Sequence, residues 1–158
     1  MTFGGRVSLN GVARSLPAVQ VEQREVGAAW RPMGRVARGP NGSVTVAARP
    51  RAPTDYRLAS GAARSKRAHV AVAPLVRFRG MKDASTLRGV TRPLFPGATV
   101  AVQRLNGNRW TTVVRAPVDA QGRFDASLTL SPGDYRARFA PGRGFVPGVS
   151  PTLRVGPA

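Results

Sequence analysis

The chain has 158 residues and a net charge of +18, from 25 Lys and Arg against 7 Asp and Glu. This length accommodates one ordinary domain or two small ones. The chain has no Cys, which excludes disulfides, thiolate zinc sites and a cysteine nucleophile. It also lacks the ~18 consecutive apolar residues that a membrane-spanning helix needs, and its 42% hydrophobic content is too high for a disordered chain.

Short strands separated by turn residues are predicted along the first half. Alternating apolar residues indicate an edge strand within residues 2–16 and a half-buried strand at 19–23. Pro32, just after Trp30, predicts an edge or broken strand. Further strands are expected at 43–47, 69–73 and 76–79. The small, basic stretch 59–68 and residues 81–85 are expected to be loops.

The second half repeats the pattern more regularly. Asn106-Gly107 stands between two alternating stretches and predicts a hairpin. Residues 123–130 place Phe124, Ala126 and two leucines on one face, as a strand does, and a last strand is expected at 152–155. Because no segment shows a sustained period of 3.6 residues, we expect essentially no helix.

The two halves are related by a shift of 79–80 residues. The paired positions are Trp30 and Trp110, Gly42 and Gly122, and Tyr56 and Tyr135. A constant shift of this length indicates two similar units in tandem. We therefore predict one unit at residues 1–75, the more divergent copy, and another at 76–158.

The run DAQGRF…LSPGDYRARF, within residues 119–139, resembles the carboxypeptidase-regulatory-like, or prealbumin-like, β-sandwich domains. The preceding ATVAVQRLNGNRWTTVVR is similar to the Ig-like repeats attached to secreted bacterial enzymes and surface proteins. The resemblance covers about 86–155 well and 3–73 weakly, and Gly39 stands where the turn motif has Asp119. It implies an all-β chain of two tandem Ig-like or prealbumin-like sandwiches with an accessory, non-catalytic role.

No residue pattern indicates catalysis, a cofactor or a metal, and we do not expect an enzyme. His69 is the only histidine, so a multi-histidine metal site is excluded. Asp119 and Asp125 flank a turn, and we interpret them as turn caps rather than calcium ligands. No phosphate-binding or dinucleotide fingerprint occurs.

The repeated aromatic residues are interpreted as structural. Tyr56 and Tyr135 each follow a Pro-x-Asp sequence and open an alternating strand, as in the tyrosine corner of β-sandwiches. Trp30 and Trp110 are predicted to pack, since aromatic side chains dominate core energetics. An exposed binding role for the tryptophans is the alternative.

The densest basic cluster contains Arg64, Lys66 and Arg67. It is a candidate contact for a polyanion, with a solvated loop as the alternative reading. Positive charge is otherwise even, because residues 1–75 and 76–158 each carry a net +9. Arg outnumbers Lys 23 to 2, which either suits phosphate and carboxylate binding or reflects coding bias.

We therefore expect a stalk, spacer or adhesive domain pair of a secreted or cell-surface bacterial protein. The N-terminus lacks the apolar core of a signal peptide, so the chain is expected to be a mature fragment located outside the cell. Expected partners are proteins or cell-surface polymers, with nucleic acid not favoured. The alternatives are an Arg-rich module for an anionic polymer and a subunit that assembles through strand edges.

Overall fold

Strands make up almost all regular structure in residues 1–83 and 85–156, which the computed structural model describes, with only the backbone described at 80–83. A single 3₁₀ turn, Pro40–Gly42, is the one helical element of this part of the chain. No helix here has the length and apolar character to cross a membrane. The chain divides into two compact units: the first contains residues 3–72 and the second begins at Ala73.

The first unit consists of two antiparallel sheets. Its strands are β1 (Val7–Val12), β2 (Gln20–Glu25), β3 (Arg31–Arg35), β4 (Ser43–Ala48), β5 (Thr54–Ser60), β6 (Ala63–Arg64) and β7 (Ala68–Val70). β1 pairs with β4 in one sheet, and the other has the order β3-β2-β5-β6, with β7 also on β5. Core residues come from both sheets, among them Val21, Tyr56 and Ala48.

The second unit has a larger core between a three-stranded and a five-stranded sheet. Its strands are β8 (Leu75–Asp83), β9 (Thr86–Arg92), β10 (Thr99–Asn106), β11 (Arg109–Pro117), β12 (Arg123–Ser127), β13 (Gly133–Phe139), β14 (Gly148–Val149) and β15 (Leu153–Val155). The sheet orders are β12-β9-β8 and β11-β10-β13-β14, with β15 on β13. Leu87 and Phe124 from one sheet meet Val102, Tyr135 and Phe139 from the other. Alternate residues of each strand therefore face one buried layer.

The strand order of the second unit is that of an Ig-like sandwich. Lettered in chain order, β8, β9 and β12 stand for strands A, B and E. The other sheet supplies C and C′ from β10 and β11, F from β13, and G from β14 and β15. The prediction of an all-β chain with two tandem Ig-like sandwiches is confirmed.

Equivalent contacts recur in the two units. Ala13 donates its N–H to the Gly42 carbonyl (2.8 Å), and Thr91 donates its N–H to the Gly122 carbonyl (2.7 Å). The register of β2 on β3 shifts between Val21 and Glu22, and that of β10 on β11 between Val102 and Gln103. These shifts leave Met33 and Val113 as the extra residues, so the same β-bulge occurs 80 positions apart. β3 is an edge strand, as Pro32 predicts.

Two turns of the second unit agree with the sequence predictions. The hairpin predicted at Asn106-Gly107 joins β10 to β11, with Asn106 opposite Arg109 and Gly107 at a φ of +57°. Asp119 Oδ1 accepts hydrogen bonds from the N–H groups of Gln121 and Arg123, both at 2.8 Å, and so caps its turn as interpreted.

Several predicted boundaries are wrong. The expected loop at 59–68 contains β6, which folds back on β5 with Ala59 opposite Arg64. A hairpin this short has too few residues to show alternation. The expected loop at 81–85, of which residue 84 lies outside the described residues, is strand at 81–83, because β8 runs to Asp83 through two bulges that interrupt its period of two. Strand β12 ends at Ser127, and β7 spans Ala68–Val70 instead of 69–73.

Candidate functional site

Two of the three acidic side chains of the first unit, those of Glu22 and Asp55, lie on the outward face of its larger sheet. Val21 and Tyr56 point into the core. Their neighbours Glu22 on β2 and Asp55 on β5 therefore point outward, because successive side chains of a strand alternate between faces. Both carboxylates are only 10% exposed, since basic side chains lie over them.

Trp30 contacts two arginines on this face. The guanidinium carbon of Arg57 is 4.0 Å from the centre of its ring, and that of Arg24 is 4.7 Å away. These distances are within the range of cation–π attraction. The half-buried ring thus holds both guanidinium groups beside the two carboxylates.

Each carboxylate binds several bases. Glu22 accepts from Arg57 at 2.7 Å and lies 3.3 Å from Arg64 Nε. Asp55 is 3.1 Å from both Arg24 and Arg67. His69 Nδ1 is 2.8 Å from the other Asp55 oxygen and must be the donor, because an ionised carboxylate only accepts.

The basic neighbours of Asp55 determine its pKa. Burial acts to raise the pKa, but hydrogen bonds from His69, Arg24 and Arg67 and the charge of Arg67 outweigh it. The pKa of Asp55 is therefore below its usual value of 3.8. The carboxylate is ionised at neutral pH and stabilises the cations around it.

The predicted polyanion residues do not form one free basic cluster. Arg64 reaches Glu22, and its Nη1 donates to the carbonyls of Gly61 and Ala63 at 2.7 and 2.9 Å. Arg67 pairs with Asp55. Lys66 instead lines an apolar cleft elsewhere in the unit. A polyanion contact through Arg64, Lys66 and Arg67 stays a prediction.

The second unit repeats the Trp–Arg pair with a neutral partner. The guanidinium carbon of Arg136 is 4.3 Å from the ring centre of Trp110. Its Nε donates to Gln103 Oε1 at 2.8 Å, and Gln103 lies opposite Arg136 as Glu22 lies opposite Arg57. Burial, and then the charge of Arg138, lowers the pKa of Arg136.

The expectation that the tryptophans pack in the cores is wrong. Trp30 and Trp110 are half-buried, and neither belongs to the core clusters of the described residues. Repetition of a Trp does not distinguish core packing from stacking on Arg. The sequence does contain a signal for the stacking: an Arg directly follows the corner tyrosine in both units, Arg57 after Tyr56 and Arg136 after Tyr135.

Tyr135 forms the predicted tyrosine corner. Its ring is 1% exposed, and its hydroxyl donates to the Ser131 carbonyl at 2.9 Å. The same oxygen accepts from the Ser131 N–H at 3.2 Å. Tyr56 is also buried, at 3% exposed, and burial raises its pKa.

A second polar surface, the basic face, lies on the outward side of β8, β9 and β12. It consists of Arg77, Arg79, Arg88 and Arg123. Arg77 and Arg123 both lie beside Val90, one on each neighbouring strand. Asp125 lies on this face, 3.4 Å from Arg88 in a half-exposed pair, and Asp119 borders it. Sequence reasoning missed this surface, because these arginines come from strands up to 46 residues apart.

Metal ligation has little support in the described part of the chain. No group of three or more His, Cys, Asp or Glu side chains comes together there. Asp119 is occupied by backbone N–H groups and Asp125 by Arg88. The described acidic residues thus serve turns and ion pairs.

The chain matches no protein-family model and no curated protein. It is similar to a solved tetra-tandem repeat from the extending region of a large adhesion protein, at 14% identity and a TM-score of 0.42. That match covers 99% of this chain and 46% of the other. It is also similar to titin domains I67–I69 in an E-to-A variant, at 13% identity and a TM-score of 0.34, covering 97% of this chain and 60% of that one. Both TM-scores are below 0.5, so neither likeness supports a functional argument.

Proposed function

We propose that the chain is a non-catalytic structural module, a stalk, spacer or adhesive domain pair, of a secreted or cell-surface bacterial protein. The observation that carries this proposal is the Trp–Arg pair repeated on the outward face of each unit. In the first unit the polar side chains around Trp30 bind one another. They stabilise a sheet face and leave no acid–base pair free to act on a substrate.

A spacer must hold its length under load. Each unit is proposed as a separate sandwich, with the boundary near residues 75 and 76, and should unfold as one cooperative event. Stretching a single molecule of the full chain should then give two events. Each event should lengthen the chain by on the order of 250 Å, from ~3.6 Å per residue over about 70 residues.

Tyr135→Ala provides the matched variant for this experiment. It should weaken or remove one of the two events, because Tyr135 belongs to the second core alone. Extension without measurable force, or one event for the whole chain, would contradict a two-unit spacer.

A second candidate function is binding of an anionic polymer, and the basic face favours it. Basic side chains outnumber acidic ones among the described residues there, because four arginines lie beside Asp125, which pairs with Arg88, and Asp119, which accepts backbone hydrogen bonds. This function predicts that affinity depends on Arg77, Arg79, Arg88 and Arg123. It also predicts little dependence on Arg64 and Arg67, which are already paired with Glu22 and Asp55.

A further inference from the structure

The first unit has an open strand edge that is filled in the second. In the described residues, β1 pairs only with β4. Its equivalent, β9, lies between β12 and β8. The two strands correspond closely, because Gly11 faces Val44 as Gly89 faces Phe124. An unpaired strand edge presents free N–H and C=O groups to any extended chain of suitable register.

An apolar cleft of about 220 Å³ lies along this edge. Leu9, Gly11 and Val12 of β1 line one side of it, and Val44 and Leu58 are among its apolar walls. Val12 is 61% exposed, which is high for a valine on a strand beside a core. Ser65 and Lys66 also line the cleft. They lie between β6 and β7, which correspond to strand G, and an Ig-like sandwich places strand A opposite strand G.

The second unit shows what fills the corresponding space. Phe78 of β8 lies opposite Gly89 and packs edge-on against Phe124, with ring centres 6.2 Å apart. A Cβ atom at Gly89 would lie 2.1 Å from the Phe124 ring, so no room remains there. At Gly11 the nearest atom to such a Cβ is Leu58 Cδ1, at 3.1 Å. A cavity of about 150 Å³ can hold a benzene ring, so the cleft is large enough for an aromatic side chain.

Charge selects among possible occupants. Lys66 is the basic residue whose side chain is left for an occupant of the cleft, and no acidic residue lines it. Arg57 also lines the cleft, but its guanidinium group is paired with Glu22. A second copy of the chain would bring another net +18 to this surface. An acidic partner is attracted to the same surface, which favours encounter and the correct choice of partner.

We propose that β1 binds an extended, acidic segment of a partner protein by strand addition, with a large apolar side chain of that segment opposite Gly11. Backbone hydrogen bonds to the edge supply affinity, and the cleft supplies specificity. This inference goes beyond the structural role proposed above. The two proposals are tested independently, because a spacer need not bind a strand and a strand-binding unit need not bear load.

The probe is a synthetic peptide with the sequence of residues 74–80 in which Arg77 and Arg79 are replaced by Glu. Titrated into the full chain, it should bind saturably and slow hydrogen exchange at alternate amides of β1. Replacing the Phe of the peptide by Ala should weaken binding at least ~10-fold, the equivalent of about 1.4 kcal/mol. The unaltered basic sequence should bind more weakly than the acidic one.

Two matched comparisons separate strand addition from general adhesion. Methylating the peptide nitrogens at one alternate set of positions should abolish binding, and methylating the other set should not, because only alternate residues hydrogen-bond to a given neighbour. In the protein, Val12→Glu should weaken binding of the acidic peptide. Val26→Glu should not, because Val26 is equally exposed, at 60%, but lies outside the cleft.

Several results would overturn the proposal: no saturable binding, equal effects of the two methylated sets, or protection at β3 or β11 instead of β1. Self-association of the chain with β1 protected in the absence of peptide would assign the edge to a second copy, and would equally contradict an acidic partner.

Discussion

The guanidinium group of Arg136 and the ring of Trp110 meet across strand β10, with 4.3 Å between the guanidinium carbon and the ring centre. The first unit contains the same arrangement between Arg57 and Trp30 at 4.0 Å. One pair joins β13 to β11, and the other joins β5 to Trp30, which immediately precedes β3. The contact therefore holds an edge strand to the centre of its sheet, where no direct backbone pairing connects them.

Removing the Arg136 charge should destabilise the second unit. Arg136→Met should lower the free energy of unfolding by about 1 kcal/mol, through loss of the cation–π contact and of the Gln103 hydrogen bond. Arg138→Met is the control, because Arg138 is exposed on the same strand, and it should change stability by less than about 0.5 kcal/mol. Urea unfolding measures both. If the two substitutions lower the free energy of unfolding equally, the contact between Arg136 and Trp110 does not stabilise the unit.

The tyrosine corner should show a graded response. Tyr135→Phe should cost about 1 kcal/mol by loss of the hydroxyl bonds to Ser131. Tyr135→Ala should cost about 3–5 kcal/mol by loss of the buried ring. Urea midpoints for both variants check this, and midpoints equal to that of the unaltered chain would mean that the corner is not structural.

The ion pairs of Asp55 should make the first unit sensitive to acid. Because the folded pKa of Asp55 is lowered, its stabilisation is complete above its ordinary value of 3.8 and is lost as the pH falls through the lower, folded value. Asp55→Asn should therefore cost about 1–3 kcal/mol at pH 7 and progressively less below about pH 4.

The control for this pH series is Asp125→Asn, which breaks the half-exposed pair with Arg88. It should change stability by less than about 1 kcal/mol at any pH. A deficit for Asp55→Asn that is constant from pH 7 to pH 3 would contradict the lowered pKa.

Two equivalent glycines should respond differently to the same substitution. Gly89→Ala should destabilise by about 1–3 kcal/mol, because the new Cβ would lie 2.1 Å from the Phe124 ring and 2.8 Å from the Arg77 carbonyl oxygen. Gly11→Ala should be neutral or stabilise by up to about 1 kcal/mol, since Leu58 Cδ1 at 3.1 Å can move aside. Thermal unfolding checks both, and equal losses would mean that the cleft beside Gly11 is closed.

Local pattern predicts much of this fold. Phe124 and Ala126 alternate with polar residues, and both lie in the core. The glycine of Asn106-Gly107 predicts the β10–β11 turn because its positive φ suits a tight hairpin. The β8 strand beyond Arg79 was missed, since bulges interrupt the alternation on which a strand prediction depends.

The polar surfaces were less predictable, because they depend on register between distant strands. Arg67 reaches Asp55 only because β7 lies beside β5. Arg88 and Arg123 become near neighbours only when β12 pairs with β9. Two arginines that are close in the sequence, Arg64 and Arg67, are thus paired with carboxylates in the fold, and a basic surface forms from residues that are scattered in the sequence.

The most direct test of a structural role is the affinity of the full chain for anionic polymers at about 0.15 M salt, where screening acts over about 8 Å. Binding to an anionic polymer at low salt does not distinguish the two functions, because a protein with a net charge of +18 binds such polymers non-specifically. Duplex DNA, RNA and an acidic cell-wall polymer should each be titrated with the unaltered chain. Two variants should be compared, one with Ala at Arg77, Arg79, Arg88 and Arg123, and one with Ala at Arg64, Lys66 and Arg67.

The structural account predicts no measurable complex with any of these polymers and no difference among the three proteins. The contrary result is a complex that survives at this salt concentration. On duplex DNA its log affinity would fall with log salt by about 0.9 per phosphate neutralised, and one of the two variants would reduce that slope. That result would make the chain a polyanion-binding module and contradict its assignment as a spacer.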